Sequence, residues 1–258
     1  MAAKIAADTY KGDREVLFVN IYIEDEIHEP KLEAWAEEYV GLPMTTIRDQ
    51  DYGASVDKVI EKRRYMSGVK GAPCTTELKK RVRWGWQRPT DLHVFGMDVK
   101  EEYRIDQILD GEPHLNIWSP LIDNKLTKAD CFTELSKQPG FTLPKMYQLG
   151  FHNNNCKGCV KAVGAGYWNN TRKHLPDTFN KRARQEEILG VALCRLSKKD
   201  TNKYGAQVIA QMRADGVKPK NITADGRLRV PLRYLPENAG TLKDLGIGDC
   251  GFFCEVKE

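Results

Sequence analysis

Hydrophobic and polar positions along the first half of the chain switch between two periods. Met1 to Tyr10, rich in Ala and Lys, reads as a helix, and Glu15 to Ile23 is a continuous β-branched and aromatic run suited to a strand buried on both faces. Lys31 to Val40 places Leu32, Trp35, Ala36 and Tyr39 at helical spacing and closes on Gly41, and Met44 to Ile47 follows as a second short strand. Ser55 stands as an N-cap before Val56, Val59 and Ile60, a helix running toward Met66, and Leu92 to Met97 supplies a third strand. Strand and helix in turn predict an α/β fold, a parallel sheet covered by helices.

Asp110 to Pro120 is a Gly- and Pro-punctuated crossing, and Leu126 to Leu135 is a helix capped at Thr127. The texture changes after Pro144. His152 to Gly166 is dense in Asn, Cys, Gly and Lys, Gln185 to Leu196 resumes an amphipathic helix, and Gly216 to Gly251 is turn-rich with short strand-like pieces. A boundary near residue 150 divides an α/β domain, 1–150, from a Cys-rich region, 151–258. No internal repeat interrupts either part.

Composition narrows the class. Of 258 residues 41% are hydrophobic and 29% charged, the profile of a globular chain. The most apolar run, Val16 to Ile23, is broken by Asn20 and followed by Glu24, Asp25 and Glu26, so no membrane segment is predicted. Met1 to Gly12 lacks the features of a secretion signal, and a cytoplasmic location is expected. A net charge of +4 is too mild to indicate a nucleic-acid partner by bulk electrostatics. The distribution says more: acids crowd Glu24 to Glu38, whereas Lys79 to Arg88 carries Lys79, Lys80, Arg81, Arg83 and Arg88 and no acid.

Seven cysteines, an odd number, argue against a disulfide scaffold and toward metal or redox use. Cys156 and Cys159 form Cys-Lys-Gly-Cys, whose spacing lets two thiolates serve one centre while Gly158 permits the tight turn. Cys250 and Cys254 form a second pair, so the four close a tetrahedral thiolate site across the C-terminal region, with zinc and a 4Fe-4S cluster both compatible with the spacing. The alternatives are four unrelated buried thiols, or redox chemistry in which Lys157 and Lys161 lower a neighbouring thiol pKa. Cys74 reads as a loop cysteine or a nucleophile, and Cys131 and Cys194 as core residues on helix faces.

Neither a metal-binding His-Glu-x-x-His motif nor a Walker loop is present, and the five histidines are scattered. What remains is a basic cluster, Arg63, Arg64, Lys79, Lys80, Arg81 and Arg83, near the expected carboxyl edge of the sheet, where parallel α/β folds bind ligands. Guanidinium forks match phosphate and sulfate oxygens, so a nucleotide or sulfonucleotide is the natural ligand.

Val16-Leu17-Phe18-Val19-Asn20, Ile23-Glu24-Asp25-Glu26, Ala72-Pro73-Cys74-Thr75, Phe95-Gly96-Met97-Asp98 through Arg104, and Asn154-Asn155-Cys156-Lys157-Gly158-Cys159-Val160-Lys161 succeed one another along the chain. Together with Pro120-Leu121-Ile122, Pro176 to Glu187 and Asp249-Cys250-Gly251, this succession resembles the phosphoadenosine phosphosulfate reductase family in the form common in phages and mobile elements. The resemblance implies a five-stranded parallel sheet of the adenine-nucleotide alpha-hydrolase type, with nucleotide over the strand ends and Arg104 as a further anion contact. It also implies a preceding strand and Ser-Gly-Gly-x-x-Ser phosphate loop, whereas Met1 falls inside what would be the following helix.

The tail departs as well. Family members that reduce sulfonucleotides end in Glu-Cys-Gly-(Ile/Leu)-His, and here Asp249-Cys250-Gly251-Phe252-Phe253 leads to Cys254. The resemblance makes Cys250 the catalytic nucleophile, resolved by a thioredoxin-like reductant; its pairing with Cys254 makes it a metal ligand, the role we favour. Three functions follow: a sulfur-transferring or sulfur-reducing enzyme acting on an adenine nucleotide, a metal-stabilised accessory protein without turnover, or a sulfurtransferase that modifies nucleic acid.

Overall fold

A computed structural model of the chain describes residues 1–68, 71–218 and 226–241, which fall into two compact units. Unit 1 comprises Met1–Glu24, His28–Val56 and Cys74–Pro144, and unit 2 comprises Asp25–Ile27, Asp57–Pro73 and Lys145–Glu258. The last stretch of unit 1 ends at Pro144, and unit 2 also takes two short stretches from the first half.

In chain order the first half carries α1 (Ala2–Thr9), β1 (Phe18–Ile21), α2 (Pro30–Val40), β2 (Met44–Ile47), α3 (Val56–Arg63) and α4 (Pro73–Thr75). A π-helical turn, Thr76–Lys80, leads into α5 (Arg81–Trp86), then β3 (Leu92–Val94), α6 (Tyr103–Gly111), β4 (Asn116–Trp118), α7 (Pro120–Asp123) and α8 (Lys128–Ser136). The local signals act as the sequence predicts. Gly41 ends α2 at φ 80, a left-handed conformation that costs glycine nothing, and Thr127 caps α8 with a reciprocal bond to Asp130.

The class is mixed α/β, with one correction to the expected sheet. β1 pairs with β2 and β3 with β4, both parallel, but among the described residues the pairs stay separate two-stranded sheets. β1 is also shorter than the run Glu15 to Ile23, because only Phe18–Ile21 finds a partner strand. The ends of α1 touch α2 and β4: Tyr39 of α2 donates to the Met1 sulfur at 3.2 Å, and Tyr10 meets Trp118 of β4 edge-on at 5.6 Å.

Unit 2 continues with α9 (Lys145–Gln148), α10 (Ala165–His174), α11 (Pro176–Leu189), β5 (Cys194–Arg195), α12 (Lys198–Ala214) and β6 (Arg229–Val230). Its core gathers Phe151, Tyr167, Trp168, Phe179, Leu196, Val208, Met212 and Leu232. β5 and β6 pair antiparallel. The helix expected over Gln185 to Leu196 stops at Gly190, whose φ of 64 turns the chain, and Cys194 is buried on a strand rather than a helix. Glu186 fastens that turn, accepting from the Leu193 and Leu232 amides at 2.5 Å each. No described helix is long and apolar enough to cross a membrane.

Candidate ligand cleft and cysteine turn

The cleft of unit 1 lies off the carboxyl ends of β1 and β2. Tyr22, the residue after β1, and Arg48 to Asp51, the residues after β2, form one wall, and Arg81, Val82, Gly85 and Trp86 of α5 form the other, around about 770 Å³. In a parallel pair the side chains beyond the strand ends belong to loops and can vary without disturbing the ladder, which makes this edge the candidate ligand edge. Asp49 shapes the loop, its Oδ2 accepting from the Tyr52 amide at 2.6 Å and the Ala54 amide at 3.4 Å. Arg48 and Arg81 are exposed on the walls beside Trp86, which pairs cationic and aromatic surface in one cleft. The hydrogen bond and charge of Glu77 raise the Arg81 pKa and keep the guanidinium firmly protonated.

Of the basic cluster, Arg81 lines this cleft, and the others lie elsewhere. Arg63 ends α3 and Arg64 follows it at φ 52, both exposed and both in unit 2. Lys79 and Lys80 lie in the π-helical turn, Lys80 buried. Arg83 is buried and turned inward, its Nη2 donating to both oxygens of Glu112 at 2.6 and 2.8 Å and its Nη1 to Gln87 at 2.5 Å, while Trp84 donates to the same carboxylate at 2.9 Å. Arg104 donates to Glu101. Sequence reading missed Arg48, Tyr22 and Trp86. The available signal was position, since Arg48 directly follows the strand Met44 to Ile47.

In unit 2, Cys156 and Cys159 are buried at the two ends of a turn whose Gly158 has φ 59. Three backbone groups of the turn have partners in unit 2. The Lys157 amide donates to the Asp25 carbonyl at 2.8 Å, the Cys159 amide to the Tyr167 hydroxyl at 2.7 Å, and the Gly158 carbonyl accepts from Arg182 Nε at 3.0 Å. The Cys156 thiol lies 3.8 Å from Glu26 Oε1. Burial pushes the Tyr167 hydroxyl well above its usual range, so it stays neutral. Two buried thiols at this spacing, on a turn held by its Lys157 and Cys159 amides, fit half of a tetrahedral thiolate site. Cys250 and Cys254 lie outside the described residues, and no group of three or more metal-ligating side chains forms among the residues described. Cys74 is half-buried at α4 and Cys131 half-buried on α8, its thiol raised chiefly by burial.

Comparison of the chain with models of protein families, with curated proteins and with solved structures finds no match in any of the three.

Proposed function

We infer that unit 1 binds an adenine nucleotide or sulfonucleotide in its cleft and that the protein acts in sulfur transfer or reduction in the manner of the phosphoadenosine phosphosulfate reductase family. The observation that carries this reading is the cleft itself: two guanidinium side chains, Arg48 and Arg81, share it with Trp86 beyond the carboxyl ends of a parallel strand pair. Guanidinium groups suit phosphate and sulfate oxygens, and an indole or phenol face suits a purine.

Within this reading Cys156 and Cys159, with Cys250 and Cys254, hold zinc or a 4Fe-4S cluster as a structural centre. A closed four-thiolate centre supplies folding free energy and leaves no open coordination position. The turn's own residues do the rest, fixing the first pair through the amides of Lys157 and Cys159. In the alternative role, the Cys250 thiolate attacks the sulfonyl sulfur, the bond to the nucleotide phosphate oxygen breaks, and a thioredoxin-like dithiol releases sulfite as it becomes a disulfide.

Calorimetry with phosphoadenosine phosphosulfate and with ATP on the full chain tests the binding. Arg48→Ala and Arg81→Ala should each weaken it about tenfold, the loss of one charge-assisted hydrogen bond. A wild-type chain that takes up neither nucleotide removes the reading and leaves the accessory protein. That second reading has its own support in Arg83 and Arg104, cations engaged by Glu112 and Glu101.

A further inference from the structure

Arg182 is among the largest fully buried side chains of unit 2, a full charge at 0% exposure. Its fork is shared among four partners. Nε donates to the Gly158 carbonyl at 3.0 Å, Nη1 to Asp57 Oδ1 and to Gln185 Oε1 at 2.7 Å, and Nη2 to Asp25 Oδ1 at 3.3 Å. Asp57 sits in the first turn of α3, where the helix dipole favours an acid, and also accepts from Lys181 at 2.5 Å. Burial would raise the Asp57 carboxyl, yet the Arg182 charge and the bonds from Lys181, Arg182 and Gln185 hold it below the usual range. Asp25 grips the cysteine turn twice, directly through its carbonyl to the Lys157 amide and indirectly through Arg182.

A buried ion network of this kind gives little stability that well-packed apolar residues would not give, so its presence calls for a geometric reason. The Cys156–Cys159 turn provides one. A Cβ on Gly158 would come within 2.6 Å of Thr178 Cγ2 and 3.4 Å of Arg182 Cγ, so the turn fits its surroundings in one shape. We propose that Arg182, neutralised by Asp25 and Asp57, is the positioning residue of the Cys156–Cys159 thiol pair, holding the turn in its binding shape before a thiophilic divalent cation arrives. Donors fixed in advance lose less conformational freedom on binding, and the affinity of the pair rises accordingly. The proposal rests on the reading of this pair as metal ligands.

Cobalt(II) is the probe, titrated into the reduced, metal-free full chain. Its near-ultraviolet thiolate charge-transfer band reports cysteine ligation, and its visible bands report the symmetry of the site. Arg182→Lys keeps the charge and loses the fork; it should weaken cobalt binding about tenfold or more and alter the visible bands, as removal of groups that orient ligands does. Arg233→Ala, a cation of the same unit engaged with Glu187, should leave both unchanged. If Arg182→Lys fails to fold, Gln185→Ala carries the test, because it removes one partner of the fork without exposing a buried charge, and a smaller weakening is expected. Unaltered affinity and spectrum in the folded variants overturn the positioning role while the ligand reading stands. No thiolate band in the wild type, or a band that survives Cys156→Ser combined with Cys159→Ser, overturns the ligand reading and the proposal with it.

Discussion

Each unit buries one arginine among carboxylates, and the two arginines do different things. Arg83 in unit 1 joins α5 to the end of α6, with Gln87 one helical turn away and Glu112 29 residues on. Arg182 in unit 2 gathers Asp25 and Asp57, 157 and 125 residues earlier in the chain, and turns its third edge to the backbone of the cysteine turn. One is a brace between neighbouring helices and the other a clamp on a candidate ligand site. The lesson is that a cation's availability depends on whether it is buried against its carboxylate, since Arg81 pairs with Glu77 at 2.9 Å and still stands exposed in the cleft. Arg83 stood in the basic cluster and is engaged by Glu112, whereas Arg48 stood outside that cluster and lines the cleft.

The sharpest way to separate brace from clamp is to remove each guanidinium. Arg182→Ala leaves Asp25 and Asp57 without their shared cation, and breaking such a buried pair is expected to destabilise unit 2 by about 3–5 kcal/mol in denaturant unfolding. An Arg182→Ala chain as stable as the wild type would show that water or another group satisfies both acids. Arg83→Ala should cost somewhat less, about 2–3 kcal/mol, because Trp84 still donates to Glu112. Replacing both partners, Arg83→Met with Glu112→Leu, should recover most of that loss if the pair is only a brace.

A third difference concerns acids. Glu186 is buried in unit 2 with two amide donors, and burial, outweighing those bonds, pushes its carboxyl up to about 8 from 4.5. A raised acid favours the folded state while neutral, so its contribution is complete below pH 4.5 and disappears as pH rises through about 8. Stability should therefore fall from about pH 4.5 to about 8 and level off above that, at most by about 1.4 kcal/mol per pH unit. Glu186→Gln should flatten this slope in thermal melts at several pH values, and an unchanged slope assigns it to another group. The smallest effect belongs to Arg233→Ala, whose exposed pair with Glu187 should leave the melting temperature where it was.

Much of the local structure was legible. The Thr127 cap, the Gly41 stop, the strand Met44 to Ile47 and the mixed α/β class all rest on residues within one or two turns of each other. The helix expected over Gln185 to Leu196 failed for a reason also written nearby, since Gly190 permits the left-handed turn that lets Glu186 accept the Leu193 amide. Of the apolar positions after Gly190, which matched a helical face, Cys194 belongs to β5, whose partner β6 lies more than thirty residues further on.

The sequence by itself determined the mixed α/β class, three of the four strands of the first half, the helices closed by Gly41 and capped by Thr127, and that Cys-Lys-Gly-Cys makes a turn with two thiols; β4 it read as part of the crossing Asp110 to Pro120. Only the tertiary structure decided that the strand pairs stay separate among the described residues, that Arg83 points to Glu112, and that Arg182 joins Asp25 and Asp57 at the cysteine turn. The physical reason is range. Caps, turns and helical faces are settled by bonds spanning a few residues, and those energies can be read in order along the chain. The partner of a buried charge is chosen by the path of the whole backbone, because desolvation makes an unpaired guanidinium untenable and the nearest carboxylate in space carries no mark in the sequence.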